Sequence, residues 1–158
     1  MKKIISVICI VCIILLMPTN VHAVERELNT SYTYLGNDIY IETIIEENIS
    51  LFSTQTKSGS KTLNFKNSGN ILFSIKVSGT FTYTGSSSTC TSSSVTTSVT
   101  DSAWKIMSKS ASKSGNIAIG YATAKRYMFG FVVETRNETA TLTCSATGVL
   151  SEIKKCMN

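Results

Sequence analysis

Histidine and proline occur only as His22 and Pro18, so the 135 residues from Val24 onward contain neither. Without an imidazole that region cannot build a Ser-His-Asp triad, a Cys-His pair or a histidine-ligated metal site. Carboxylates are few. Ten Asp and Glu follow residue 23, and the adjacent Glu46 and Glu47 point to opposite sides of any strand. An acid–base pair would therefore have to be assembled by the fold. Three thiols remain, Cys90, Cys144 and Cys156, with none of the paired spacings of a metal or redox motif. No catalytic, metal-ligating or cofactor-binding residue is nominated, and no enzyme activity is expected. Thirteen Lys and Arg against those ten acids leave too slight and too scattered a positive charge for nucleic acid. No apolar run after residue 23 is long enough to span a bilayer, so no stable membrane span is expected once the leader is gone.

The leader itself has three parts. Lys2 and Lys3 precede an apolar run from Ile4 to Met17, Pro18 breaks it, and Val21-His22-Ala23 offers small residues for cleavage after Ala23. This is the pattern of a secretion signal, and it predicts a secreted, extracellular product. In an oxidising compartment an even pair of thiols tends to close. Cys90 and Cys144 are the expected disulfide, closing a loop that would stabilise the fold by about 4 kcal/mol in the chain-entropy account. Cys156 is then left free or joins two chains as a disulfide-linked dimer.

Serine and threonine make up 42 of the residues after Ala23. Charge divides the same stretch: residues 24–50 carry six acids and one base, and the rest twelve bases and four acids. The expected organisation is a signal at 1–23, an acidic arm or linker at 24–56, a β-sandwich domain at 57–151 and a tail at 152–158. From Ile71 to Tyr83 apolar residues occupy alternate positions, the period-two mark of a half-buried strand, with Gly79 expected at a bulge or bend. Ala140, Leu142 and Cys144 alternate with threonines in the same way. Ile117, Ile119 and Tyr121 predict a third strand, Phe129, Phe131 and Val133 a fourth, and Trp104 with Ile106 a fifth. Asn67-Ser68-Gly69-Asn70 and Ser114-Gly115-Asn116 read as turns leading into them. The fold class is therefore all-β, an antiparallel β-sandwich. The Cys90, Trp104 and Cys144 spacing admits an immunoglobulin-like version, although Leu142 stands where a tyrosine-corner Tyr would be.

Three surface candidates stand beside plainer readings. Ser86 to Thr100 is a polar loop feeding a strand, or an amphipathic hairpin able to enter a membrane, but only Val95 and Val99 give it an apolar side. Lys105, Lys109 and Lys113 share a strand face as edge protection or as an anion-binding stripe. Lys125, Arg126, Tyr127 and Phe129 form the best local ligand surface, with cations beside exposed aromatics able to stack on a sugar. Trp104 reads as a core anchor.

The segments "YIETIIEE" (Tyr40 to Glu47), "SGTFTYTGSSSTCTSSS" (Ser78 to Ser94), "SKSASKSGN" (Ser108 to Asn116), "AKRY" (Ala124 to Tyr127) and "TLTCSATGVLS" (Thr141 to Ser151) carry a resemblance. They look like uncharacterised small secreted β-rich proteins of Gram-positive bacteria, many from the gut. The resemblance implies export and a disulfide-bearing β domain, and no named activity. The expected function is a non-enzymatic binding or interaction module at or outside the cell envelope, its ligand a protein or a glycan. The alternatives are a small membrane-perturbing toxin or antimicrobial, and an enzyme with an unfamiliar site.

Overall fold

The computed structural model describes residues 26–36, 38–48 and 55–152, which form nine strands in two antiparallel sheets. The first five are β1 (Arg26–Gly36), β2 (Ile39–Asn48), β3 (Thr56–Asn67), β4 (Asn70–Tyr83) and β5 (Ser88–Val99). The second sheet holds β6 (Trp104–Ser114), β7 (Ile117–Met128), β8 (Phe131–Cys144) and the short β9 (Leu150–Ser151). Within each sheet every strand pairs with the next in sequence. This is a plain meander, with none of the Greek-key connections of an immunoglobulin domain, so the immunoglobulin-like expectation is corrected while the all-β sandwich stands. The signal cleavage after Ala23 and the fate of Cys156 lie outside the described residues.

The five-stranded sheet supplies the bulk of the core. Phe65, Phe73, Ile75, Val77 and Phe81 are fully buried on its inner face. Phe65 stacks on Phe73 at 4.3 Å between centroids, and Trp104 from the other sheet tilts against Phe73 at 4.9 Å. The four-stranded sheet answers with small residues: Ala118, Gly120, Ala122, Ala124 and Ala140, joined by Leu142. A Cβ on Gly120 would lie 3.0 Å from Val95 and 3.1 Å from Val77, so a side chain there makes these neighbours give way. Gly79 has the same cause: a Cβ there would meet the Phe81 ring at 2.7 Å and Ala118 at 2.8 Å. It marks close approach of the two sheets, and no register shift falls on it. The irregularities of β4 fall elsewhere, between Phe65 and Lys66 in its pairing with β3 and between Thr80 and Phe81 in its pairing with β5.

These small inner residues set which side of β7 is buried. Ile117, Ile119 and Tyr121 do alternate, but the buried side of β7 is Ala118, Ala122 and Ala124, and Tyr121 is exposed. Phe131 and Val133 of β8 are exposed as well. Of the large apolar side chains of this sheet, Trp104, Leu142 and Leu150 are buried, while Met107, Tyr121, Phe131, Val132 and Val133 are exposed.

The acidic segment read as an arm is two strands of the first sheet. β2 lies between β1 and β3, and its carboxylates meet lysines of β3 and β4: Glu47 with Lys57 at 2.6 Å, Glu42 with Lys66 at 2.9 Å, Glu46 with Lys76 at 3.1 Å. The charge division of the sequence is thus cross-strand pairing of opposite signs. Glu47 also accepts the Leu150 N–H at 3.0 Å, and Lys61, buried, pairs with Glu152 at 2.9 Å. The β9 end of the sandwich is therefore closed by ion pairs.

Cys90 and Cys144 are both buried, at 3% and 0% exposure, but they are free thiols outside disulfide reach. Cys90 sits on β5 and Cys144 at the end of β8, in opposite sheets. The β6–β7 turn separates them: the Cys90 N–H donates to Gly115 O at 2.8 Å and the Cys144 N–H to Asn116 O at 3.1 Å. Each thiol instead donates to a nearby carbonyl, Cys90 to Ser92 and Cys144 to Ser145. Burial pushes both thiols above their ordinary pKa. The expected disulfide is corrected accordingly.

Candidate functional site

Alternating β residues carry β7 and β8 beyond the rest of their sheet. Trp104, the first residue of β6, pairs with Arg126, and the Tyr127 N–H donates to Ala103 O at 2.7 Å. β9 meets β8 only at Thr143 and Cys144. The pair Met128–Phe131 and the turn between them therefore extend past the β6 edge as a two-stranded apex, with Tyr127–Val132 at its base. A bulge at its base adds twist, since Arg126 faces Glu134, Tyr127 faces Val132, and Val133 is the extra residue.

The apex closes in a two-residue turn between Met128 and Phe131. Phe129 and Gly130 both have positive φ, 51° and 85°, as a type I′ hairpin requires. Such turns favour Asn, Asp or Gly at the first position, because a Cβ in the left-handed region costs about 1–2 kcal/mol. Here the residue is phenylalanine, and its ring is 93% exposed. Phe131 is 76% exposed, and Met128, Val132 and Val133 are exposed beside it. Residues 127–133 carry no charged side chain.

Cations stand behind this apex. Lys105 and Lys125 are direct cross-strand partners, an arrangement that costs stability through like-charge repulsion. The Lys105 ammonium lies 5.1 Å from the centre of the Tyr127 ring, a cation–π contact, and the Tyr127 hydroxyl donates to Met107 Sδ at 3.7 Å. Arg126 is on the other face of β7, opposite Glu134, whose carboxylate is held by Arg136 at 2.7 Å.

Of the four residues nominated from sequence, Lys125 and Tyr127 share one face, Arg126 takes the other, and Phe129 forms the tip. Sequence reasoning missed Met128, Phe131, Val132, Val133 and Lys105 as members of this surface. The signal was an apolar "MFGFVV" run centred on a glycine with no polar turn residue. The proposed lysine stripe does not form: a register shift between Ile106 and Ser108 sets Lys105 opposite Lys125 but Lys109 and Lys113 opposite Ala122 and Ala118, on the reverse face. Lys113 donates to the Thr91 carbonyl at 2.5 Å.

Two shallow grooves lie elsewhere. One of about 290 Å³ on the outer face of the first sheet is lined by Ser58, Ser60, Ser78 and Ser94, with Glu46 and Lys76 joined across it. Another of about 190 Å³ surrounds Tyr121, Thr123 and Asn137. Both fall below the roughly 300–1,000 Å³ of small-molecule sites. Among the described residues no cluster of three or more Cys, Asp or Glu could hold a metal ion. No protein-family model, curated protein or solved structure matches the chain.

Proposed function

We propose that this chain is a non-enzymatic β-sandwich interaction module, acting at or outside the cell envelope, whose docking surface is the β7–β8 apex. One observation carries the reading: five neighbouring apolar side chains are exposed at a projecting tip, with Phe129 held in a backbone conformation unfavourable to it. A local cost with no gain in packing is the usual mark of a position kept for contact with something else. The leader pattern at 1–23 supports an extracellular setting. A glycan is the less favoured ligand, because one contact of the Tyr127 ring is already taken by Lys105. Refolding of Ser86–Thr100 into a membrane wall is also disfavoured, since Val95 packs against the core.

The test is retention of the chain from Val24 onward, which contains every strand among the described residues, on isolated envelope fractions. Phe129→Asn together with Phe131→Ser should lose retention with an unchanged circular dichroism spectrum. Equal retention of the double variant refutes the docking surface. Turnover in a broad hydrolase screen, abolished by changing one carboxylate, refutes the non-enzymatic reading.

A further inference from the structure

We infer that the β7–β8 apex docks on an anionic lipid surface; the inference rests on the docking role just proposed and names the partner. The site is convex, whereas a protein groove is met by a ridge of matching shape and polar rim. Its tip, Met128 to Val133, offers apolar side chains and no side-chain hydrogen-bonding group, which suits hydrocarbon and gives a protein partner little to read. Lys105, Lys125 and Arg126 stand behind it; of the described acids nearby, Glu134 is occupied by Arg136 and the Asp101 carboxylate accepts the Ala103 N–H at 2.9 Å.

The spacing fits an interface. Lys125 lies three residues behind Met128, the last residue of β7, about 10 Å along a strand at ~3.3 Å per residue, with the Phe129 turn beyond it. An apex lodged ~5–10 Å into the headgroup boundary sets those cations at phosphate level, with their stems free to reach outward. Shallow lodging is also all the backbone allows, since the outward N–H and C=O groups of a two-stranded tip have no partner in hydrocarbon. The same charges argue against a second copy as occupant: two apices meeting tip to tip would bring two sets of cations together.

The experiment is co-sedimentation of the chain from Val24 onward with vesicles of phosphatidylcholine alone and of phosphatidylcholine with one-quarter phosphatidylglycerol. Binding is expected only to the anionic vesicles and should weaken with salt. Phe129→Asn should weaken it about tenfold to a hundredfold, the partitioning contribution of one phenyl ring. The same variant should melt no lower than the parent, because Asn suits the turn; a purely structural Phe129 would give the reverse. Neutralising Lys105, Lys125 or Arg126 with Gln should each cost about fivefold and flatten the salt dependence. Equal binding to both vesicles, or undiminished binding by Phe129→Asn, overturns the inference. Vesicles ignored while Phe129→Asn still abolishes retention on envelope fractions, or abolishes self-association in sedimentation, overturns the lipid partner and leaves the docking surface intact. Loss of vesicle contents on binding overturns docking in favour of perforation.

Discussion

The two sheets divide the work of making a core unequally. The first presents three phenylalanines, an isoleucine and a valine to the interior, and the second presents mostly alanine and a glycine. Close-packed layers admit a fixed volume, so bulk on one side requires its absence on the other. The second sheet consequently places its remaining large apolar residues outside, and the β7–β8 apex is the extreme of that arrangement. An apolar surface on this protein is thus no failure of burial. It follows from which sheet fills the space between them.

Removing bulk from the first sheet gives the largest effect. Phe73→Ala deletes the ring between Phe65 and Trp104 and should cost about 3–5 kcal/mol in denaturant unfolding. The matching truncation in the second sheet, Ala122→Gly, should cost only about 0.5–1 kcal/mol. Adding bulk to the second sheet comes next. Gly120→Val drives methyl groups into Val77 and Val95 and should destabilise by about 1–3 kcal/mol. Combining it with Val77→Ala should recover part of that loss, as coupled neighbours do. Strict additivity would mean that the sheets do not share one filled layer.

Smaller effects separate the hairpins that cap each sheet. The β3–β4 turn has Ser68 at φ 48° and Gly69 at 87°, nearly the torsions of Phe129 and Gly130. Ser68 is tied in by its N–H to Asp38 O and its hydroxyl to Asn67, both at 3.4 Å. Phe129→Asn should therefore raise stability by up to about 1 kcal/mol, and Ser68→Asn by less. Below these lies the titration of Glu42, whose carboxyl is held below its usual range by Lys66 and Asn64. A group lowered in the folded state contributes stability above its ordinary pKa of 4.5 and loses it as pH falls through the folded value. Lys66, raised by Glu42, mirrors this: its contribution holds below 10.5 and fades as pH climbs past its raised value. Glu42→Gln should flatten both limbs of a Tm-against-pH curve slightly. The smallest expected effect is none: reductant should leave Tm unchanged, because the buried thiols of the two sheets are unpaired. A drop would mean that they bond.

The same asymmetry decided what the sequence could disclose. β4 was legible because its inner positions are large and its outer ones polar, so alternation and burial agree from Phe73 to Phe81. The turn at Ser68-Gly69 was legible from its residues alone. On β7, counting apolar bulk chose Ile117, Ile119 and Tyr121, since no pattern within one strand states how much volume the facing sheet brings. The charge division at residue 50 looked like a boundary until the acids of β2 were seen beside the lysines of β3 and β4. Thiol arithmetic ignores the turn that holds Cys90 and Cys144 apart. At the apex, cations beside aromatics flagged Lys125, Arg126, Tyr127 and Phe129, while Phe131 and Val133 were read only as strand residues.

The strictly consecutive strand order bears on how the chain is born. A chain that emerges end first presents its strands one at a time, and a hairpin closes in roughly 1–10 μs. Nearly every strand therefore finds its neighbour already waiting, and each growing edge is covered within about the time needed to make one more strand. Only β1 and β6, which found the two sheets, must wait for a successor that does not yet exist.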